Sequence, residues 1–296
     1  MATETAEAAV VEVVDLAAAS VRDLNQRLHD LSRDNAGPRR WRVLNPNGAH
    51  AVACGLDADV EIGIEGHVGY YCAGMNKLAT VTVHGNAGVG LAENLMSGVV
   101  RVTGNASQAA AATGRGGLVI VEGDASARCG ISLKGADIVV RGSAGHMSAF
   151  MAQTGRMVVL GDAGDALGDS IYEARLYVRG SVKSLGADCV EKELRDEHRN
   201  EVAELLAAAG VEGVDPGEFR RYGSARKLYT FAVGTADGFA VLRDPIACKP
   251  AVLAETAEWV AMASEYRAIA TLPGAEEARI WEPEPATVYS WERVAA

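Results

Sequence analysis

The sequence predicts a mainly β fold: a right-handed, single-stranded parallel β-helix of about seven 19-residue coils, with flanking helices and a C-terminal extension. Three observations predict it. First, the segments VEIGIEG, TVTVHG, VVRVTG, LVIVEG, DIVVRG, MVVLG and RLYVRG end at Gly66, Gly85, Gly104, Gly123, Gly142, Gly161 and Gly180, and successive glycines stand 19 residues apart without insertion or deletion. Second, the residue two before each glycine is β-branched (Ile64, Val83, Val102, Val121, Val140, Val159, Val178), and the residue four before it is apolar (Ile62, Val81, Val100, Val119, Ile138, Met157, Leu176). That spacing in a short β-branched run marks a strand with one buried face. Third, the rest of each copy is too short for a helix with two connections and carries Gly, Ala and Ser where a helix would want Leu, Lys or Glu, which argues against a βαβ array or a helical solenoid.

The elements follow in chain order. Residues 1–40 form an N-terminal segment whose Val21, Leu24, Leu28 and Leu31 have helical spacing, so a short amphipathic helix is expected there, placed to cap the first coil. Residues 41–190 are the β-helix. Glu65, His84, Thr103, Glu122, Arg141 and Arg179 alternate outward just before the glycines, with Leu160 the exception. Each glycine is expected to supply a positive φ at a turn. Directly after it stand His67, Asn86, Asn105, Asp124, Ser143, Asp162 and Ser181, types that bond turn backbone. Seven after it come Ala73, Ala92, Ala111, Gly130, Ala149, Gly168 and Ala187, a column restricted to Ala and Gly. Coils stacked at about 4.8 Å make a rod roughly 30 Å long, right-handed by the usual chirality of parallel crossovers. Each stacked Val or Ile contributes about 1.5–3 kcal/mol, and only against neighbouring coils. Residues 191–235 hold a helix over Glu191–Ala209, stopped by Gly210, and a docking segment. Residues 236–296 are an acidic, Pro-containing extension with one helix near Leu253–Ile269 in an otherwise irregular tail that gathers Trp259, Trp281 and Trp291.

Composition narrows the function classes. A net charge of −11, with no basic stripe interleaved with aromatics, argues against nucleic-acid binding. The N-terminus lacks the basic start and apolar run of a signal peptide, and no stretch approaches a membrane span, so a cytoplasmic protein is expected. Cys54, Cys72, Cys129, Cys189 and Cys248 are odd in number and never reach CxxC spacing, which disfavours disulfides, zinc and iron–sulfur sites and makes them small core residues.

Candidate sites are few. GNAGVG (Gly85–Gly90) has the glycine content of a phosphate-cradling loop, but no helix follows and the same glycines recur as coil corners. His67, His84 and His146 fall in different columns, which suits turn-bonded or solvent-facing rings better than metal ligands. In GYYCAGMNK, Tyr70, Tyr71, Met75, Asn76 and Lys77 stand where later copies carry small residues. They read either as an atypical end coil capping the rod or as a docking surface or ammonia-channel wall, which Glu93, Asn94 and Met96 extend. His146, Met147, Phe150 and Met151 suit core or interface. Tyr222, Gly223, Ser224, Arg226 and Tyr229 form a polar-aromatic patch that locks the preceding helix onto the rod or meets a partner. The interface candidates are therefore Tyr70, Tyr71, Met75, Asn76, Glu93, Asn94, Tyr222, Arg226 and Tyr229, with no catalytic, cofactor or metal residue assigned.

The repeat glycines, with RCGISLKGADIVVRGSAGHMSAFMAQTG, GDAGDALGDSIYEARLYVRGSVKSLGAD and RRYGSARKLYTF, resemble the GXGXG domain family over about residues 21–231. That family includes the C-terminal β-helix of the glutamate synthase large subunit, stand-alone subunits of glutamate-synthase-type complexes such as N-methylglutamate synthase, and one of the subunits of formylmethanofuran dehydrogenase. The resemblance implies a scaffold subunit of a glutamate-synthase-type oxidoreductase complex. A class II glutamine amidotransferase-like subunit and an FMN-dependent glutamate synthase-like subunit, the latter with FMN and an iron–sulfur cluster, are the implied partners. The chain itself shows neither chemistry, since Ala2 follows Met1 where an amidotransferase exposes a cysteine. The alternatives are a formylmethanofuran dehydrogenase-type subunit and a β-helix enzyme acting on polysaccharide. The latter needs clustered outward carboxylates, whereas the outward column mixes Glu65 and Glu122 with Arg141 and Arg179.

Overall fold

The valine columns stack ring over ring. In the computed structural model, which describes residues 11–31, 39–225, 231–243 and 250–292, nine parallel strands follow one another in chain order. They are β1 (Val11–Asp15), β2 (Arg40–Leu44), β3 (Glu61–Glu65), β4 (Thr80–Val83), β5 (Val99–Val102), β6 (Leu118–Val121), β7 (Lys134–Val140), β8 (Thr154–Val159) and β9 (Arg175–Val178). Ile62 pairs with Val81, Val81 with Val100, and the register runs unbroken through Val119, Ile138 and Met157 to Leu176. The column from Ile64 to Val178 stacks the same way, and every side chain of both columns is buried. Strands β1 and β2 extend the ladder beyond the seven copies found by periodicity. Trp41 pairs with Ile62 and Val43 with Ile64, an offset of 21 rather than 19, so a two-residue insertion hides this coil from a fixed-period search.

The turn side of each coil explains the small-residue columns. Tyr71, Ala73 and Met75 all have positive φ (63°, 52° and 55°), and the equivalent trio recurs as Ala109, Ala111, Thr113 and as Met147, Ala149, Met151. Between left-handed residues the backbone amides point alternately up and down the rod. Tyr71 N donates to Val89 O (2.8 Å) and Met75 N to Glu93 O (2.7 Å) in the following coil, while Ala73 N donates to Val52 O (3.0 Å) in the preceding one. The middle residue faces the core: Ala73, Ala92, Ala111 and Ala149 are fully buried. A left-handed conformation with no room for a long side chain admits only Ala or Gly there.

The repeat glycines work differently from the expectation. Of the seven, only Gly66 has a positive φ (133°). The others are glycine because the coils approach too closely for a Cβ. One added at Gly142 would lie 2.2 Å from Asp124 Oδ1 and 2.7 Å from Gly123 O, and one at Gly123 would lie 2.1 Å from Asn105 Oδ1. That volume holds a side-chain ladder. Asn105 N donates to Asn86 Oδ1 (2.8 Å), Asp124 N to Asn105 Oδ1 (2.8 Å), Ser143 N to Asp124 Oδ1 (2.7 Å) and Ser181 N to Asp162 Oδ1 (2.7 Å). Each side chain after a glycine thus satisfies the next coil's backbone by occupying the space above that coil's glycine.

The rod's repeat changes character at both ends. Helix α1 (Val21–His29) starts on a capping box in which Ser20 and Asp23 bond each other's backbone, and it buries Leu24 and Leu28. It covers the turn side of the first coil. Asn25 donates from Nδ2 to Ala51 O (2.8 Å) and accepts from Ala53 N (2.9 Å), replacing the backbone groups a preceding coil would have offered. His29 Nε2 lies 2.7 Å from Cys54 O. At the far end β11 (Arg220–Ser224) pairs antiparallel with β9, and β10 (Cys189–Lys192) pairs antiparallel with β11.

Helix α2 spans Asp196–Ala209, later than the expected start because Glu191 and Lys192 belong to β10, and Gly210 ends it in a left-handed cap (φ 71°). Its Val202, Leu205, Leu206 and Ala209 pack on Ile120, Val139, Val158 and Tyr177, forming a second core on the outer face of the sheet with Phe219. These four strand residues share one outward column, three before the glycines, whose earlier members are Gly63, Thr82 and Arg101. The change from polar to apolar within that column marks the helix seat. Arg101 donates to Ala209 O at the helix C-terminus (2.9 Å), where a cation complements the dipole.

Residues 226–296 form a separate compact unit. It consists of two three-stranded antiparallel sheets, one ordered β12 (Phe231–Gly234), β13 (Gly238–Leu242), β17 (Val288–Glu292) and the other β15 (Val260–Ala263), β14 (Val252–Glu255), β16 (Arg279–Trp281). The expected helix over Leu253–Ile269 is therefore wrong for most of its length. β14 and β15 occupy it, and only α3 (Tyr266–Ile269) is helical. The apolar residues there fit a helical period, but Thr256 bonds the 256–259 turn and closes a hairpin instead. The tail is not irregular either: Trp281, Tyr289 and Trp291 cluster with ring centroids 6.1–6.4 Å apart, and Trp291 Nε1 donates to Glu255 Oε1 (3.1 Å), joining the two sheets.

Candidate interaction surface

The outsized residues of GYYCAGMNK do not sit in an end coil, because the coil carrying Ala51 and Ala53 and the strand β2 precede them. Their size therefore serves something other than capping. Tyr70 and Val89 occupy the same column of successive coils. Met75 stands beside Glu93 through its backbone bond, Met96 N donates to Asn76 O (2.9 Å), and Leu78 N donates to Ser97 Oγ (3.1 Å). Tyr70, Met75, Leu78, Val89 and Met96 are each 37–55% exposed, so two adjacent coils present five exposed apolar side chains on one edge of turns. Met151 continues the Met75 column four coils on and is also exposed.

The edge is held from below. Tyr70 stacks on His50 (centroids 3.8 Å apart, planes 22° apart), and His50 Nδ1 accepts from Tyr70 N (3.2 Å), which fixes the ring over the preceding coil. Tyr71 lies half-buried over Gly74, where a Cβ would meet its ring at 2.6 Å. Asn94 Nδ2 donates to the Tyr71 hydroxyl (3.5 Å), and Thr113 donates to Asn94 Oδ1 (2.7 Å). Lys77 pairs with Asp57 (3.0 Å) at the margin. Apolar side chains standing on bonded, inflexible turns bind with little ordering cost, which is what a protein-docking surface requires.

Of the interface candidates, Tyr70, Tyr71, Met75, Glu93 and Asn94 come together on this edge. Asn76 does not: it is fully buried, and its Nδ2 donates to Ala79 O (2.9 Å), closing the turn from inside. Tyr222 is also a correction, since it lies in the rod's core at the β9–β11 junction, where alternation points it inward. Arg226 and Tyr229 lie outside the described residues. Sequence reasoning missed Leu78 and Val89. Their signal was an apolar residue in a column that holds Ser97 and Gly116 after Leu78, and Gln108, Asp165 and Ser184 after Val89.

The remaining candidates have structural explanations. Gly85 and Gly88 in GNAGVG meet the backbone of Gly66 and Gly69 at 2.5–2.8 Å from where a Cβ would stand, so they are coil corners. His67 Nδ1 accepts from Asn86 N (2.8 Å), the first rung of the side-chain ladder. Cys72, Cys129 and Cys189 are buried, and burial pushes the thiols of Cys72 and Cys129 up to about 12 and that of Cys189 to about 11, so none is a thiolate at neutral pH. Cys248 lies outside the described residues. Under α2, Tyr177 bonds Glu201, and desolvation first, then that carboxylate, raise its pKa. His198 is held below its ordinary value by burial and by Arg221. Among the described residues no group of three or more His, Cys, Asp or Glu side chains is placed to hold a metal, and no helix is long and apolar enough to cross a membrane.

No family model matches the sequence. The chain is 66% identical over 227 residues to Protein GlxC of Rhizobium meliloti (strain 1021), a match covering 77% of this chain and 99% of that relative. It is also 66% identical over 69 residues to the Glutamine amidotransferase-like protein GlxB of the same organism, a match that covers 23% of each.

Proposed function

The chain belongs to the family of Protein GlxC, and on that premise we propose that it is a scaffold subunit of a glutamate-synthase-type amidotransferase assembly, of the kind that N-methylglutamate synthase represents. The observation that carries this reading is the rigid apolar edge of Tyr70, Met75, Leu78, Val89 and Met96, a surface built for a protein rather than a small molecule. In this reading a class II amidotransferase-like subunit handles the amide or amine nitrogen, an FMN-dependent subunit with its iron–sulfur cluster performs the redox step, and the rod holds the two at fixed separation. The second match, to a protein named for amidotransferase likeness, supports the first partner. With the thiols of Cys72, Cys129 and Cys189 protonated and buried, the rod contributes position rather than chemistry.

The test is reconstitution with purified amidotransferase-like and FMN subunits. The wild-type chain is expected to form a complex that runs as one species on size exclusion. Tyr70→Asp with Val89→Asp, which places two charges in the dock, is expected to weaken it by about tenfold or more, as loss of central anchors does. A double variant that assembles normally would refute the edge as the dock.

A further inference from the structure

We infer that the pocket between β10, β11 and the first turn of α2 binds a phosphate-type dianion through Lys192, His198 and Arg221. Strand pairing builds the site. Lys192 stands directly opposite Arg221 in the β10–β11 ladder, and Arg221 stands opposite Tyr177 of β9, so the three share one outward row. Glu193 and Arg195 carry the chain from that row into α2. Lys192, Glu193, Arg195, Glu197, His198 and Arg221 then line a pocket of about 380 Å³.

Like charges set directly across two antiparallel strands repel. The other arginines around the pocket are matched by carboxylates: Arg175 by Glu201 (3.1 Å), Arg179 by Glu218 (2.6 Å), Arg195 by Glu193 (3.1 Å) and Arg199 by Asp196 (2.6 Å). Among the described residues Lys192 and Arg221 have no carboxylate within 4.0 Å. Arg221 Nη1 donates to Glu193 O (3.2 Å), and its buried Nε has no acceptor. The two carboxylates on the rim, Glu193 and Glu197, both lie against Arg195, at 3.1 and 3.8 Å. His198 completes the set of donors. It is 5% exposed, and its Nδ1 accepts from Arg195 N (3.1 Å), so Nε2 carries the proton and is left to donate. Glu197 Oε1, 3.5 Å from Nε2, stands beyond an ordinary N–H···O bond. Single donors approaching from two strands and a helix suit a tetrahedral oxyanion, whose oxygens point apart. A planar carboxylate is taken best by an open guanidinium fork, whereas that of Arg221 is engaged at Nη1 and buried at Nε.

The ring of His198 faces Glu197 and Glu201 of its own helix, Arg221 of β11, and Arg175 and Tyr177 of β9. Burial first, then Arg221, hold it below its ordinary value. A dianion beside Nε2 favours the imidazolium against both, so affinity rises as pH falls through the His198 value. Sulfate keeps its double charge across neutral pH, which makes it the probe. The test is isothermal titration of the full-length chain with sulfate at about pH 6 and about pH 8, at an ionic strength fixed with chloride, and with glutarate as the carboxylate arm. One saturable sulfate site is expected, tighter at the lower pH, with glutarate about tenfold weaker. His198→Gln keeps an acceptor for the Arg195 amide and removes the imidazole, so it should weaken sulfate about tenfold at the lower pH and abolish the pH dependence. Lys192→Gln, at an exposed position, should weaken sulfate severalfold while leaving the far-UV circular dichroism spectrum unchanged. No saturable sulfate binding by the wild-type chain, wild-type affinity in both variants, a pH dependence that survives His198→Gln, or glutarate binding tighter than sulfate would each overturn the inference.

Discussion

The rod and the C-terminal unit both rest on β-strands with alternating faces, yet they close their cores in opposite ways. In the rod every coil lies between two near-copies of itself, so whatever one coil leaves unpaired the next one takes up: amides alternate up and down, and Asn86, Asn105 and Asp124 each bond the backbone of the coil beyond. In the C-terminal unit two different sheets meet on one side only, and Val233, Leu242 and Val288 face outward. A repeat supplies its own partner, whereas a sheet in a non-repeating fold is covered only where a different element packs on it. Residue type is accordingly dictated column by column in the rod and much more loosely in the unit that follows.

The largest expected effect breaks the rod's stacking. Gly142→Ala puts a methyl group against Asp124 Oδ1 and the Gly123 carbonyl, and a cost of about 4 kcal/mol in urea unfolding is expected from overpacking together with the lost rung. Next, Leu205→Ala empties the seat of α2 on Ile120, Val139 and Val158 and should cost about 3 kcal/mol, with faster hydrogen exchange confined to the helix and the strands beneath it. Asn25→Ala strips the end coil of its substitute partner and leaves Ala53 N–H and Ala51 C=O unsatisfied. About 2 kcal/mol and accelerated exchange at Ala53 are expected. In the C-terminal unit, Gly274→Ala sharpens the contrast: its φ is 71° but nothing lies within 4 Å, so only the backbone penalty of about 1 kcal/mol applies. If Gly142→Ala proved no costlier than Gly274→Ala, crowding between coils would not be what restricts the glycine column.

The smallest effect is electrostatic. Hydrogen bonds from the Ser181 side chain and backbone hold the Asp162 carboxyl below its ordinary 3.8. A depressed folded-state value adds stability above the unfolded value and loses it as pH falls through the folded one, so this contribution fades below about pH 4. Asp162→Asn keeps the oxygen that Ser181 needs, as Asn86 and Asn105 do in their own coils. The variant should match wild type at pH 7 and show a shallower loss of melting temperature between about pH 4 and pH 2. An unchanged acid slope would show that the ladder is indifferent to charge.

Much of the rod was legible because its period is exposed in the sequence: a fixed spacing puts equivalent residues in the same environment, and one column checks another. The coil holding β2 escaped because two extra residues break that spacing, and β1 because α1 intervenes. Tyr70 and Met75 stood out in the sequence because nearly all later members of their columns are smaller, and both are exposed in the fold. The places of Asn76 and Tyr222 were not legible, since burial at a turn or a strand junction depends on what closes over it. Leu253–Ile269 misled because short apolar runs satisfy helix and strand periods equally until cross-strand partners arbitrate.

What the sequence determined by itself, then, is the stack: which residues face inward, which corners admit only Ala or Gly, and which side chains follow the glycines. Only the tertiary structure decided why those glycines are glycine, where α2 lies, how Asn25 ends the ladder and which face of the C-terminal sheet stays open. The physical reason is that a repeat writes its nearest-neighbour contacts into its own period, while caps, seats and bare faces arise from residues far apart in the chain whose meeting no local spacing encodes.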